Sequence, residues 1–240
     1  MALAEITLPR ADVDGRRIAV TDTLAGLVTE VAGIVGDPDV SEAEIVRALN
    51  RGLFAAAGAT RLPELAAEAR LVFAPGQADA MLPADVQHGP TDAFLLPASS
   101  RIRMLPGLAA LRRAARCVPG GRVRCAAAVG GRIHVQPAPQ TVVEIVITYH
   151  RLPESLVAAS DKPRCLPPHL AGPLLVAFAC RELFERLEEG AGGTKMQTAA
   201  YGKRFEAALA ELIALHGLVQ EEPVEVAGFS PCGGFGEQWP

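Results

Sequence analysis

Six prolines interrupt the middle of this chain and constrain its fold more than any other feature. Proline removes a backbone donor and breaks a helix interior, so long helices are excluded between residues 71 and 119, and only Leu108–Cys117 is free to form a short one. Helical periodicity flanks this region on both sides. We therefore expect helices at the two ends of the chain and a β-rich segment between them. The prolines are Pro75, Pro83, Pro90, Pro97, Pro106 and Pro119.

The N-terminal part carries two helix signals. Apolar residues at helical spacing predict a first helix from Asp22, its expected N-cap, to Gly36, which stops it. Ser41 and Glu44 have the spacing of a capping box, in which each side chain bonds the other residue's backbone. This box predicts a second helix that ends near Gly58.

The middle segment predicts β structure. Residues 62–70 suggest one or two further helical turns before it begins. Gly120-Gly121 and Gly130-Gly131 are typical of hairpin turns, because glycine reaches positive φ without penalty. Val143, Ile145 and Ile147 alternate with more polar residues, as expected for one buried sheet face. We predict an antiparallel meander of strands over 122–128, 132–136 and 141–149.

The C-terminal part predicts two more helices. The first covers 174–189, with Pro173 in its first turn, where a missing N–H costs nothing. A glycine hinge at 190–193 follows. The second helix runs from about Thr198 to His216. Its expected buried residues are Phe205, Leu209, Leu212 and Leu215.

These patterns together predict an α+β protein. A helical bundle is built from the N- and C-terminal helices, an antiparallel β-rich insertion separates its halves, and an extended tail closes the chain. The expected divisions are an N-terminal arm with helices at 1–70, the insertion at 71–160, the C-terminal helices at 161–217 and the tail at 218–240.

No pattern of catalytic residues stands out. Cys165 and His169 are spaced like a metal-ligand pair. The other histidines and cysteines are scattered and supply no second pair to complete a metal site. Ser99 lies outside a nucleophile elbow. The segment 190–195 has glycines and a lysine, yet it has the wrong spacing for a phosphate loop and follows a helix. We therefore predict a protein that is not an enzyme, with no cofactor and no metal.

The chain has five cysteines: Cys117, Cys125, Cys165, Cys180 and Cys232. An odd number at wide spacing argues against a disulfide framework, so we expect free thiols packed as small hydrophobic residues. Cys117 and Cys125 are the closest candidate pair, because they flank the Gly120-Gly121 turn.

Charge is unevenly distributed. No acidic residue occurs between Asp92 and Glu144, whereas the C-terminal third is rich in glutamate. Three interpretations are open: a solvated basic surface, a contact with an acidic surface of a neighbouring subunit, or a surface facing DNA. The net charge of −4 gives no general case for nucleic-acid binding. The candidate inter-subunit contacts are Arg112, Arg113, Arg116, Arg122 and Arg124.

The C-terminal tail carries Phe229, Phe235 and Trp239 among glycines. Such a segment cannot form a core of its own. It is either a disordered end or an arm that docks these aromatic side chains on a partner.

The order of the later segments resembles a known family. Arg132–Pro139 and Val142–Pro153 read as strands that end in prolines, Leu166-Pro-Pro opens a helix, and an amphipathic segment from Tyr201 closes the set. This order is similar to that of the head-tail adaptor, or connector, proteins of tailed bacteriophages and gene transfer agents.

The resemblance implies a structural virion protein that acts in viral assembly. It implies an oligomeric ring, of twelve copies by analogy, at the head-tail junction. The ring would bind the portal above and a tail, stopper or nozzle protein below, and DNA would pass through its channel without sequence-specific binding. In such families a C-terminal arm inserts into the portal ring.

The expected localisation is the neck of the virion, after synthesis in the host cytoplasm. The sequence has no run of 18 apolar residues and no secretory signal, so we expect no membrane partner. The alternative is a soluble enzyme or ligand-binding module with a site on the insertion, using His134 and His150.

Overall fold

The computed structural model describes residues 23–115, 121–188 and 195–217. These residues form an α+β protein with five α-helices and a seven-stranded mixed sheet, as the sequence predicts. The helices are α1 (Leu24–Val35), α2 (Glu42–Ala59), α3 (Leu108–Ala115), α4 (Pro168–Glu188) and α5 (Met196–His216). The strands are β1 (Ala66–Phe73), β2 (Asp79–Met81), β3 (Val86–Leu95), β4 (Ser100–Met104), β5 (Cys125–Val129), β6 (Arg132–Gln136) and β7 (Val143–Arg151).

The described residues divide into two compact units. The helical unit contains residues up to Leu53 together with Ser155–Glu211, and the β unit contains Phe54–Glu154 together with residues from Leu212 onward. Both units therefore combine segments that are distant in the sequence.

The N-cap of helix α1 lies one residue later than predicted. Thr23 is the N-cap, and its hydroxyl accepts a hydrogen bond from Gly26 N; Asp22 lies outside the described residues. The carbonyls of Ala159 and Asp161 accept the N–H groups of Ala25 and Leu24. A loop more than 130 residues away thus satisfies amide groups that a helix start leaves open.

Helix α4 is longer than predicted. It starts at Pro168, so Pro173 lies inside the helix and not in its first turn. The residues from Leu170 to Cys180 are almost all buried. A helix that is apolar around its circumference belongs at the centre of its unit.

Helices α2 and α5 pack against α4. The rings of Phe178 and Phe205 meet edge to face with centroids 5.1 Å apart. A Cβ added to Gly52 would lie 3.0 Å from Cβ of Phe178, so glycine permits a close approach of α2 to α4. The predicted burial of Leu215 is wrong, since that side chain is 55% exposed.

The sheet has the strand order β1-β7-β3-β4-β5-β6-β2. The predicted meander is wrong, because β7 pairs with β1 and β3 instead of β6. Gly130 and Gly131 do form the tight β5–β6 turn, with φ of 61° and 74°. A hairpin at Gly121 is excluded because β4 and β5 run parallel, with α3 in the connection between them.

Strand β1 replaces most of the helical turns predicted for residues 62–70; only a 3₁₀ turn, Pro63–Leu65, is helical there. The alanine-rich sequence favours a helix locally. Eight consecutive residues of β1 instead pair with β7, and this long-range pairing overrides local propensity.

The sheet must curl. Six strand spacings would separate β1 from β2 by about 29 Å in a flat sheet, but residues 74–78 alone connect them and span at most about 20 Å. The curled strands surround one apolar core. It is formed by Phe73, Ala93, Leu95, Ile102, Val123, Ala126, Ile133, Val135, Ile145, Ile147 and Tyr149.

Candidate interaction surface

Helix α3 places two of the predicted arginines on the surface of the β unit. Leu111 packs with Cys125 and Ala127 on the outer side of β5. The next two residues, Arg112 and Arg113, are exposed in the last turn of the helix. A positive charge at a helix C-terminus is favourable, because the aligned peptide dipoles end there in partial negative charge.

Strands β4 and β5 add further arginines. Ile102 points into the core, so its neighbours Arg101 and Arg103 point outward. The backbone N–H of Arg103 donates to the carbonyl of Arg124 at 2.9 Å, which brings these two exposed residues together. Arg122 donates to Oγ of Ser100 at 2.7 Å, at the start of β4.

Only some of these charges are neutralised. Arg101 pairs with Asp92 at 2.6 Å and Arg132 pairs with Asp79 at 2.7 Å. Five others form no ion pair with any described residue, and we call them the basic surface of the β unit. They are Arg103, Arg112, Arg113, Arg122 and Arg124.

The acidic residues of the helical unit also divide into two groups. Glu182 pairs with Arg51 at 2.8 Å, and Glu211 lies 3.9 Å from His169. Glu188 accepts from the backbone N–H groups of Gln197 and Thr198 at the start of α5. By contrast, Glu185 and Glu206 are exposed and have no ion-pair partner among the described residues.

The pKa of one acidic residue, Glu44, is strongly lowered. Glu44 accepts a hydrogen bond from Arg186 at 2.5 Å and others from the backbone and side chain of Ser41. These bonds, with Arg186 the largest cause, lower the pKa of Glu44 to about 2. The Glu44 half of the predicted capping box is therefore present, whereas the Ser41 hydroxyl donates to the Glu44 carboxylate instead of accepting from the backbone N–H of Glu44. An ion pair between Glu44 and Arg186 links α2 to α4.

The remaining predicted contact residues lie outside the described residues. They are Arg116 on the basic side and Phe229, Phe235 and Trp239 in the tail.

The two histidines of the alternative hypothesis are not brought together by any hydrogen bond or ring contact. His134 lies on β6 opposite Asp79 and Ala127. His150 lies on β7 opposite His88, and their rings meet edge to face with centroids 6.3 Å apart. No pattern in the sequence indicates that His88 faces His150, because β3 is more than 50 residues before His150.

The sequence matches the SU10 adaptor protein family over residues 22–226. This match covers most of the chain, including all described helices and strands. The chain belongs to the SU10 adaptor protein family. This is a family of phage head-tail adaptors. No curated protein matches the sequence.

As a member of this family, the adaptor is a structural virion protein of a bacteriophage and acts in viral assembly. The family implies portal and tail components as its partners. The tail aromatics lie beyond the matched region, because Phe229 comes after its last residue.

The adaptor's described cysteines are buried: Cys125, Cys165 and Cys180. Cys125 and Cys180 are free thiols. Burial raises the pKa of Cys180 to about 12, which keeps the thiol protonated and unreactive. Cys117 and Cys232 lie outside the described residues, and Cys125, the described member of the candidate pair, is a free thiol.

Within residues 23–115, 121–188 and 195–217, no three His, Cys, Asp or Glu side chains converge as metal ligands. The helices described there are also too short or too polar to cross a membrane.

Proposed function

We propose that this adaptor assembles into a ring between the portal and the tail and so continues the DNA channel. A dodecamer is the expected copy number by analogy with the family. The family match supports the location. The observation that best supports ring assembly is the distribution of charged side chains without ion-pair partners among the described residues. Arginines of this kind lie on the β unit, and glutamates of this kind lie on the helical unit.

The basic surface of the β unit would contact exposed glutamates on the helical unit of the next subunit. A ring of identical subunits needs two different complementary patches, because each interface is heterologous. Arg112, Arg113, Arg122 and Arg124 supply one patch, and Glu185 and Glu206 supply the other. Arg116 is the fifth proposed basic contact. Opposite charges across an interface fix register and suppress wrong pairings more than they add affinity.

The two compact units support the layout of a split bundle. We infer that the helical unit is the bundle built from both chain ends, and that the β unit is its insertion.

The tail would dock on the portal. Phe229, Phe235 and Trp239 are large aromatic side chains of the kind that anchor interfaces by filling pockets. Twelve tails in one ring would raise each other's effective concentration at the portal.

DNA would pass through the lumen without sequence-specific contacts. The net charge of −4 is consistent with this role, because a channel must not retain the DNA that it conducts. The proposed role requires no catalytic turnover, cofactor or metal.

A charge reversal tests the ring interface. We expect the double variant Arg112→Glu with Arg113→Glu to stay folded and to lose ring assembly in the presence of portal, measured by native mass spectrometry. Adding Glu185→Arg and Glu206→Arg should restore assembly, because the opposite charges then meet again.

The matched control is Arg47→Glu with Lys203→Glu, which makes the same change in net charge at exposed positions of the helical unit. This control should assemble normally. Equal loss in both double variants, or no rescue by the reciprocal change, would show that this basic surface is not the interface.

A further inference from the structure

Strand β1 is an edge of the curled sheet, and among the described residues no strand pairs with its second side. It pairs with β7 alone, along its whole length. In an antiparallel pair, every other residue turns its backbone N–H and C=O away from the partner strand. From residue 67 to residue 73, these groups form no backbone hydrogen bond with a described residue outside the sheet. Such an edge is a template for one more strand.

The apolar core of the β unit is also open along this edge. Ala67, Ala69 and Leu71 face the core but are only half-buried. By contrast, Ile147 opposite Ala69 and Ile145 opposite Leu71 are completely buried on β7. A further strand beside β1 would remove this remaining apolar surface from water, which is favourable.

The other face of β1 carries two charges without partners. Glu68 and Arg70 are exposed, and neither forms an ion pair with a described residue. A strand that pairs here must alternate, with its apolar side chains toward the core. Opposite charges directly across a strand pair are stabilising and like charges are destabilising. The pairing strand should therefore place an acidic residue opposite Arg70.

Residues 4–8 of this chain, which lie outside the described residues, have the required pattern. They read Ala-Glu-Ile-Thr-Leu, and Pro9 follows, a residue that cannot continue a strand ladder. Antiparallel to β1, they place Glu5 opposite Arg70 and join one small and one large side chain at each position that faces the core. Those core-facing pairs are Ala4 with Leu71, Ile6 with Ala69 and Leu8 with Ala67. The parallel arrangement would place Glu5 opposite Glu68, which is unfavourable.

We propose that residues 4–8 form an additional strand, antiparallel to β1 of the same chain, and cover the open side of the core. Residues 9–22 join this segment to the start of α1 and can span up to about 50 Å. This tether keeps the segment at a high effective concentration near β1, whereas the segment of a second copy must come from solution. The segment precedes the region matched by the family, residues 22–226. The added strand is therefore a feature of this chain, and it does not depend on ring assembly.

Amide hydrogen exchange of the isolated full-length subunit, followed residue by residue by NMR, tests the proposal. The β1 amides that face away from β7 should be protected in the wild type, because they donate to the added strand. In the double variant Ile6→Lys with Leu8→Lys, these amides should exchange at least about tenfold faster, because two apolar side chains no longer bury. The β1 amides that face β7 should keep their protection, which shows that the fold is intact.

The matched control is Ile18→Lys with Val20→Lys, the same change in the other alternating segment before α1. It should exchange like the wild type. Arg70→Glu should reduce the protection by up to about fivefold, and adding Glu5→Arg should restore it.

Three results would overturn the proposal. The first is a wild type in which the β1 amides facing away from β7 are unprotected. The second is equal exchange in the two double variants, or no rescue by Glu5→Arg. The third is protection that falls when the subunit is diluted, since the pairing strand would then come from a second copy.

Discussion

At the residue scale, Asn50 shows how one side chain can join two distant segments. Its side-chain N–H donates to the carbonyls of Val46 and Leu156, and its oxygen accepts from Leu156 N at 2.7 Å. Leu156 is itself buried. Both N–H donors and the oxygen of this amide are thus engaged within the helical unit.

Replacing Asn50 by alanine should lower the free energy of unfolding by about 1–3 kcal/mol, because the backbone groups of Leu156 would be buried without partners. Urea denaturation measures this change. Arg47→Ala, at an exposed position one turn earlier on α2, should stay within about 0.5 kcal/mol. A similar small change in both variants would mean that water replaces the amide.

Glu44 should make stability depend on pH in the acidic range. Its pKa of about 2 in the folded protein is below the ordinary value of 4.5. The folded state therefore binds the proton less well than the unfolded state, and the stabilisation is present above about pH 4.5. It is lost as pH falls toward 2.

Denaturant midpoints between pH 5 and pH 2 would test this dependence. Glu44→Gln should flatten the profile. Glu42→Gln, in the same first turn of α2, should keep the wild-type slope. A Glu44→Gln profile as steep as the wild type would contradict the assignment.

Residue-scale features were predictable only when they were local. Ser41 and Glu44 are three residues apart, so the sequence shows both partners of the capping box. Asn50 and Leu156 are separated by 106 residues. No pattern within α2 indicates that partner.

At the element scale, the helices were predictable because their apolar residues repeat at a fixed spacing. The ends of the helices were less predictable from the sequence. Pro173 suggested a start for α4, but the helix begins at Pro168. A proline fits the first turn of a helix at either position. Strand β1 was missed because its stability comes from pairing with β7, which local sequence does not report.

Leu183→Ala should destabilise the protein by about 2–5 kcal/mol, since this α4 side chain is only 5% exposed and its removal leaves a cavity. Leu215→Ala on α5 is the matched control. That side chain is 55% exposed and should change stability by less than about 0.5 kcal/mol. Thermal unfolding of the isolated subunit compares the two. Equal effects would mean that the buried face of α4 has been misassigned.

At the scale of the whole molecule, the sequence predicted the class of fold but not the order of its strands. Glycines and prolines mark where β structure lies, and the Gly130-Gly131 turn identifies one hairpin. The parallel pairing of β4 with β5 and the position of β7 depend on how the sheet curls. That curvature is a property of all seven strands together.

Deleting residues 221–240 should leave the described fold intact and weaken attachment to the portal. The retained chain keeps Gly217, whose carbonyl accepts a 2.6 Å hydrogen bond from the buried Thr60. Thermal unfolding checks the fold, and co-sedimentation with portal checks attachment. The triple variant Phe229→Ala, Phe235→Ala and Trp239→Ala should behave like the deletion. Unchanged portal binding in both would rule out the docking arm.

Electron cryo-microscopy of the assembled particle tests the central claim most directly. We predict a closed ring of this chain between portal and tail, with Arg112 and Arg113 of one subunit against the helical unit of the next. Density for the chain elsewhere in the particle, or as an isolated single copy at the neck, would contradict the account.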